Sequence, residues 1–155
     1  MTEPRKMSAL IAVRGGSKRI KNKNTRPFSD SSLLEIKLAQ VNKMKGIADV
    51  YVSSDDDEML AIAKKHNAIP LKRDPYYASD DVPMSEVYVH LAETIDCDDV
   101  LYLHVTSPLL TDGTLQKCIF VYKYLGEEND SLATVHRVQE YLWMDNKPLN
   151  YDPEN

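Results

Sequence analysis

The chain has 155 residues, the length of one domain that can bury a core of its own. Hydrophobic residues make up 43% and charged residues 28%, a balance that excludes disordered and low-complexity proteins. Cys97 and Cys118 show no Cys-x-x-Cys pairing, which argues against a disulfide framework and a zinc site. The first residues are charged and no apolar run approaches the ~20 residues of a membrane helix. We therefore expect a globular cytoplasmic protein.

The net charge of −5 conceals a strong asymmetry along the chain. Residues 1–27 carry eight Lys and Arg against one acid, a net +7, whereas the remainder carries 11 against 23, a net −12. A basic segment of this kind favours an anionic partner, which could be a nucleic acid, a membrane surface or a small phosphate ligand.

The first predicted elements are a strand, a turn and a helix. Residues 8–13 form the continuous apolar run typical of a strand buried in a parallel sheet, and the run stops at Arg14. Ser31 or Ser32 can cap the helix that follows, and Gly46 can end it. The residues that conform to helical spacing in this segment are Leu33, Leu34, Ile36, Lys37, Leu38, Val41 and Met44.

The same alternation continues along the chain. Further strands are predicted at 50–52, 68–71, 100–105 and 131–136. The acids 55–58 open the helix after the strand at 50–52. A loop through Pro75 and Pro83 precedes the next helix, and Asp112 caps the helix after the strand at 100–105. Strands that alternate with helices predict a doubly wound α/β fold, with a mostly parallel sheet and helices on both faces.

The loop after the first strand carries the most chemistry. Residues 14–24 combine paired glycines, whose backbone can approach a phosphate, with several Lys and Arg side chains. The loop matches neither the P-loop pattern G-x-x-x-x-G-K-[ST] nor the dinucleotide-binding pattern G-x-G-x-x-G. A solvated basic turn remains an alternative, and so does nucleic-acid binding. Because the rest of the chain is acidic and has no basic helix or stacking platform, a small phosphorylated ligand is favoured over a nucleic acid or a membrane.

Four blocks of sequence resemble the CMP-sialic acid synthetases, the cytidylyltransferases that activate acidic sugars. Residues 12–24 are similar to their A-R-x-x-S-K-x-x-x-x-K-N signature, with Val13 inserted before Arg14. Residues 52–56 resemble V-S-T-D-D, residues 73–80 resemble R-P-x-x-x-A-S-D, and residues 103–109 resemble L-Q-P-T-S-P-L. The blocks occur in the family's order, each after a predicted strand. The resemblance implies a Rossmann-like, nucleotide-diphospho-sugar transferase-like fold.

The resemblance implies that the anomeric hydroxyl of sialic acid or a related 3-deoxy-ulosonic acid attacks CTP, forming a CMP-sugar and pyrophosphate. Arg14, Lys18 and Lys23 match the family positions that bind the triphosphate and stabilise the transition state, with Lys23 the foremost catalytic candidate. The other nucleotide-binding candidates in this loop are Gly15, Gly16, Ser17 and Asn24, the last of which would hydrogen-bond the nucleotide's sugar.

Base recognition is implied at Arg73 and in the segment after it. Val82 and Met84 stand where the family tends to have Ala or Ser, so Val82 would act through its backbone, and Ser85 could replace the hydroxyl that Met84 lacks. His104, Thr106 and Ser107 are implied to contact substrate, with His104 in place of the family's Gln. Magnesium is expected as the cofactor because it accompanies CTP, but no metal ligand can be named.

The resemblance also divides the chain. Residues 1–140 would form the nucleotide-binding core, and residues 141–155 would begin a dimerisation and sugar-covering extension that is cut short. We therefore expect the full-length protein to be a homodimer. The resemblance also implies that it makes CMP-sugars for cell-surface polysaccharide. Two alternatives stay open: a nucleotide-binding fragment without turnover, and a nucleotidyltransferase that uses another nucleoside triphosphate.

Overall fold

The computed structural model describes residues 5–17, 19–126, 128–135 and 140–152. None of the helices in these ranges is long and apolar enough to cross a membrane. The elements, in chain order, are β1 (Met7–Ala12), β2 (Pro27–Phe28), β3 (Ser31–Ser32), α1 (Leu33–Val41), β4 (Val50–Ser54), α2 (Asp57–Lys65), β5 (Ile69–Lys72), α3 (Pro75–Ala78), α4 (Met84–Glu93), β6 (Asp99–Leu103), α5 (Asp112–Lys123), β7 (Trp143–Met144) and β8 (Lys147–Pro148).

Four strands form one sheet in the order β5-β4-β1-β6. Each neighbouring pair is parallel, so the strands need crossover connections, and these connections contain the helices. The central strand β1 is the apolar run of the sequence, and both Leu10 and Ile11 are almost completely buried although they point to opposite faces. The predicted parallel α/β fold is confirmed.

Two hydrophobic clusters cover the two faces of the sheet. On one face, Ala9 and Ile11 of β1 pack in a cluster with buried side chains of α1, α2 and α5. On the other face, Leu10 and Tyr51 pack with Val87 and Leu91 of α4. Alternate residues of β1 thus pack against helices on opposite faces of the sheet, and the prediction of helices on both faces is confirmed.

Three local predictions differ from the structure. Helix α1 ends at Val41, and Gly46 instead occupies a later turn with a φ of +87°, a left-handed conformation that suits glycine. Thr111 caps α5, whereas the Asp112 carboxylate accepts a hydrogen bond from Gln40. The loop between β5 and α4 contains the short helix α3.

The strand predicted at 131–136 does not form in residues 131–135, and His136 lies outside the described residues. All five of the described residues are exposed. A strand needs a paired neighbour and a buried face to be stable, and alternating apolar residues alone do not provide either. This prediction is wrong for the residues described.

The chain separates into two compact units between Tyr124 and Leu125. Within the second unit, β7 and β8 form an antiparallel hairpin, which the aperiodic sequence did not indicate. Asp145 and Asn146 at its turn have φ values of 51° and 60°. Positive φ at both central residues is typical of a type I′ turn, which Asn and Asp tolerate well. The division of the chain into residues 1–140 and 141–155 stays a prediction.

An ion pair at the opposite edge of the sheet from the predicted site fixes the start of β6. Asp99 is 6% exposed, and it accepts hydrogen bonds from Arg5 Nη2 at 2.6 Å and from the Tyr122 hydroxyl at 2.8 Å. These hydrogen bonds, first of all that from Arg5, hold the pKa of Asp99 below its ordinary range. The pair links the residues before β1 to β6 and α5.

Because its folded-state pKa is lowered, Asp99 stabilises the fold above the ordinary Asp pKa, and this stabilisation is lost as the pH falls through the folded-state value. We expect Asp99→Asn to lower the free energy of unfolding at pH 7 by about 1–2 kcal/mol. The difference from wild type should narrow below about pH 4. Urea denaturation of both proteins at pH 7 and below about pH 4 measures this difference in the free energy of unfolding. An equal difference at both pH values would contradict the stabilising role of the Asp99 carboxylate.

Candidate functional site

The residues predicted to form the site follow the carboxyl ends of the four parallel strands. In-register pairing places the first residues after these ends, Val13, Asp55, Arg73 and His104, in neighbouring loops along one edge. From β1 the chain adds β4 and β5 on one side of that strand and then places β6 on its other side, so the strand order reverses at β1. Open α/β sheets bind ligands at such a reversal.

The paired glycines lie where the loop after β1 meets the loop after β4. The Gly15 amide donates to Asp55 Oδ1 at 2.9 Å, and a Cβ built on Gly15 would lie 3.3 Å from Asp56 Oδ2. Gly16 has a φ of +65°, and a Cβ built on it would have no neighbour within 4 Å among the described residues. Gly15 therefore permits a close approach of two loops, and its amide binds a carboxylate where the sequence predicted a phosphate.

Arg14 links this loop to the segment after β5. Its Nη1 donates to the carbonyl oxygen of Ala78 at 2.8 Å, and its Nη2 pairs with the Asp80 carboxylate. The Arg14 and Asp80 side chains are 40% and 43% exposed. An ion pair this accessible to water contributes little stability, so an incoming anion can compete with Asp80 for the guanidinium.

Asn24 is buried and holds the main chain of the same loop. Its Nδ2 donates to the carbonyl oxygen of Arg14 at 3.2 Å, and its own carbonyl oxygen accepts from the Leu34 amide at 3.1 Å. The Asn24 Oδ1 atom is buried and has no hydrogen-bond partner within the described residues. Burying a polar atom without a partner is costly, so this oxygen marks a position where a donor would bind favourably.

The remaining predicted residues of the basic loop are accessible. Ser17 and Lys23 are half-buried and Gly16 is exposed. Lys18 lies outside the described residues. Lys23 makes no hydrogen bond or ion pair with any other described residue, which leaves its ammonium group available to a ligand.

Arg73 is 5% exposed and is bound to protein atoms. Its Nε donates to Ser53 Oγ at 3.1 Å, and its Nη2 donates to the carbonyl oxygens of Ser53 at 2.7 Å and Val13 at 3.1 Å. Burial lowers the pKa of the guanidinium, and the charge of Asp55 partly opposes that effect. Arg73 thus joins the ends of β1 and β4 and leaves a buried positive charge there.

The three residues predicted after Arg73 differ in their accessibility. Val82 is 8% exposed and packs in the cluster with Leu10 and Tyr51, so its side chain belongs to the core. Met84 is 53% exposed at the first position of α4, and Ser85 follows it at the surface. Met84 and Ser85 therefore lie where a ligand could reach their side chains.

The loop after β6 presents its predicted residues to solvent. His104, Thr106 and Ser107 are all exposed. The His104 ring meets the Tyr102 ring edge-on, with their centroids 4.9 Å apart. Tyr102 is half-buried, and this burial raises the pKa of its hydroxyl.

Two residues of this edge were missed as site residues. Lys37 and Gln40 of α1 are buried, and both donate to the loop that follows His104. The helical spacing of the sequence did include Lys37 among the apolar positions. A lysine at a core-facing helical position is the one signal that could have indicated a buried charge.

The family model described as Cytidylyltransferase matches residues 8–153. A pseudaminic acid cytidylyltransferase from Campylobacter jejuni is 31% identical, over 70% of this chain and 49% of the relative. An N-acylneuraminate cytidylyltransferase from Oncorhynchus mykiss is 28% identical, over 99% of this chain and 37% of the relative. A solved cytidylyltransferase structure from Leptospira borgpetersenii is 26% identical with a TM-score of 0.64, covering 78% of this chain and 50% of that one. The chain spans about half the length of these curated relatives or less.

The contacts of Arg73 predict the effect of replacing it by lysine. Arg73→Lys keeps the charge but loses the planar fork with which Arg73 reaches Ser53 Oγ and the carbonyl oxygens of Val13 and Ser53 together, so we expect at least one of these hydrogen bonds to be lost. We expect the free energy of unfolding to fall by about 1–3 kcal/mol, measured by urea denaturation. Arg19→Lys, at an exposed position of the basic loop, is the control and should change it by less than about 0.5 kcal/mol. Equal stability of the two variants would contradict the role of Arg73.

Proposed function

The chain belongs to the cytidylyltransferase family, and from that premise we propose that its protein transfers CMP from CTP to the anomeric hydroxyl of an acidic sugar. The basic loop 14–24, at the edge where the strand order reverses, is the observation that carries the proposal. This position favours a small phosphorylated ligand, because the acidic remainder of the chain would repel a long polyanion.

In the proposed reaction the sugar hydroxyl oxygen forms a bond to the α-phosphorus of CTP. The bond from that phosphorus to the oxygen that bridges it to the β-phosphorus breaks, the hydroxyl gives up its proton, and pyrophosphate leaves with the electron pair. Such transfers depend on positioning and on cations that offset the charge of the phosphate oxygens. Arg14, Lys18 and Lys23 are proposed for this role.

The surroundings of Lys23 and Arg14 support that assignment. Lys23 is half-buried, and its ammonium group is not engaged by any described residue. Arg14 is held at Ala78 and Asp80 in a half-exposed position, where a triphosphate can replace the carboxylate. Both cations therefore remain available to phosphate oxygens at the end of β1.

Asn24 and the residues after Arg73 are proposed to bind the nucleoside. The unpartnered Oδ1 of Asn24 is a buried acceptor, and a ribose hydroxyl would supply the donor that it lacks once the residues that cover this atom move aside. Backbone groups near Val82 and the Ser85 hydroxyl are proposed to read the base edge. The exposed Met84 side chain can pack against the base but cannot hydrogen-bond it strongly.

Magnesium is proposed as the cofactor, since it binds nucleotide phosphates and offsets charge at the transferring group. Among the residues that the structure describes, no group of three or more His, Cys, Asp or Glu could hold a metal ion. Asp55 is engaged by the Gly15 amide and Asp80 by Arg14. The described residues do not form a metal site by themselves, so we assign the ion no protein ligand and no step.

The names of the relatives support an acidic sugar as the acceptor. Two of them are named for pseudaminic acid and N-acylneuraminate. His104, Thr106 and Ser107 are proposed to face this acceptor, because they are exposed after β6 at the same edge as the basic loop.

We also propose that the protein acts as a homodimer in the cytoplasm. The support for a dimer is the group of large apolar side chains that the second unit exposes: Tyr141, Trp143, Met144 and Leu149. Exposed apolar groups gathered in one segment are typical of a protein contact surface.

Replacing Lys23 tests the proposed catalysis directly. With the full-length protein, magnesium, CTP and either pseudaminic acid or an N-acylneuraminic acid, pyrophosphate release should fall about 100-fold or more in Lys23→Ala. The thermal midpoint should stay close to the wild-type value, since Lys23 makes no hydrogen bond or ion pair with any other described residue. The matched control is Lys21→Ala, an exposed position two residues away, which should keep activity of wild-type order. Turnover by Lys23→Ala at the control's rate would show that the loop has been assigned the wrong role.

The base preference is tested by ranking CTP, UTP, GTP and ATP, each with magnesium, by the thermal stabilisation that they give. CTP should raise the midpoint most, because a ligand stabilises the folded state according to its affinity. A larger shift with GTP or UTP would contradict the cytosine assignment and favour a different nucleotidyltransferase. CTP binding without pyrophosphate release from any acidic sugar would favour a protein that binds nucleotide without turnover.

A further inference from the structure

A fully buried lysine in α1 reaches the loop that follows β6. Lys37 is 1% exposed, and its Nζ donates to Gln40 Oε1 at 2.6 Å and to the carbonyl oxygen of Ser107 at 3.1 Å. Both of these acceptors are uncharged. Burial lowers the pKa of Lys37, and the charge of Asp112 partly opposes that effect.

Gln40 extends the contact to the far end of the same loop. Its Nε2 donates to the carbonyl oxygen of Leu110 at 2.6 Å and to Asp112 Oδ1 at 3.1 Å. The Leu110 amide donates back to the Ser107 carbonyl oxygen at 3.3 Å, which closes the turn between them. The two side chains of α1 therefore hold both ends of residues 107–110, about seventy positions away in sequence.

Stability alone gives a weak reason for an ammonium group at this position. Position 37 lies in the same buried layer as Leu34, Leu38 and Val41, where an apolar side chain would be expected. Burying a charge is costly, and replacing a buried polar network with apolar residues of similar volume is often neutral for stability. What the lysine adds is direction, because its N–H groups select one arrangement of two acceptors.

We infer that Lys37 and Gln40 are positioning residues for the acceptor sugar. By fixing residues 107–110 they set the conformation of the loop that carries Thr106 and Ser107, which rests on the role proposed for that loop above. The nucleotide side of the edge is held by other contacts, those of Asn24 and Arg73. Loosening the loop should therefore weaken acceptor binding and leave CTP binding almost unchanged.

The test compares Lys37→Met and Gln40→Met with Lys43→Met in the full-length protein. Methionine keeps the length of both side chains but donates no hydrogen bond. Lys43 lies just past the end of α1 and also contacts Asp112, but it is 65% exposed and makes no hydrogen bond to residues 107–110, so it is the matched control. The measurements are KM for CTP, KM for pseudaminic acid or an N-acylneuraminic acid, and amide hydrogen exchange at Ser107 and Leu110.

We expect each of the two test variants to raise the acceptor KM about 10-fold or more while KM for CTP changes less than about 2-fold. The Leu110 amide should exchange faster, and Lys43→Met should match wild type in every measurement. If Lys37→Met does not fold, Gln40→Met alone decides the question.

An unchanged acceptor KM in a folded test variant would overturn the inference, and so would equal rises in both KM values. Absence of pyrophosphate release from wild type would count against the proposed function only. In that case the exchange rates still decide, because unchanged exchange at Ser107 and Leu110 would show that these side chains do not position the loop.

Discussion

The guanidinium of Arg73 lies where the ends of β1 and β4 meet, and the candidate site is built around this contact. Its Nη2 donates to the carbonyl oxygens of Val13 and Ser53, and its Nε donates to Ser53 Oγ, close to where the two neighbouring strands end. The Ser53 oxygen also accepts from the Val13 amide at 3.0 Å, whereas the buried Val13 oxygen has Arg73 as its donor among the described residues. The basic loop leaves β1 directly after this anchored position.

Two buried cations now share the carboxyl edge of one sheet. Arg73 and Lys37 are 5% and 1% exposed, and both donate to backbone carbonyl oxygens. Burial disfavours the charged form of each, which makes a nearby negative charge more favourable than it would be in water. Arg14 and Lys23 lie at the surface of the same edge, beside the carboxylates of Asp55 and Asp80. The four cations would favour the triphosphate that we propose as ligand, although the net charge of the chain is −5.

Much of the fold could be predicted, because the features that decide it are local in sequence. The apolar run of β1 and the acids that open α2 indicated a parallel α/β sheet, and the order of the elements predicted helices on both faces. Predictions failed where the outcome depends on distant partners. Residues 131–135 have the composition of a strand but are exposed, and α1 ends at Val41 with Asn42, rather than Gly46, as its C-cap.

The residues of the candidate site could be identified more readily than their contacts. The sequence indicated that Arg14, Gly15 and Asn24 lie in one loop, but it did not indicate that Gly15 binds Asp55 or that Asn24 holds the main chain of Arg14. Those contacts join positions ten to forty residues apart. Periodicity shows which face a side chain occupies and carries no information on where its polar end reaches, which is why the role of Lys37 was missed.

The central claim is that a nucleotide binds at the carboxyl edge, between the loop after β1 and the segment after β5. The most direct test is backbone amide chemical-shift mapping by NMR during titration with CTP and magnesium. The account predicts that the largest shifts fall in residues 14–24, at Arg73 and in residues 82–85. It predicts none at the exposed lysine surface of α5 around Lys117 and Lys123. Shifts concentrated on that lysine surface, with the carboxyl edge unchanged, would contradict the account.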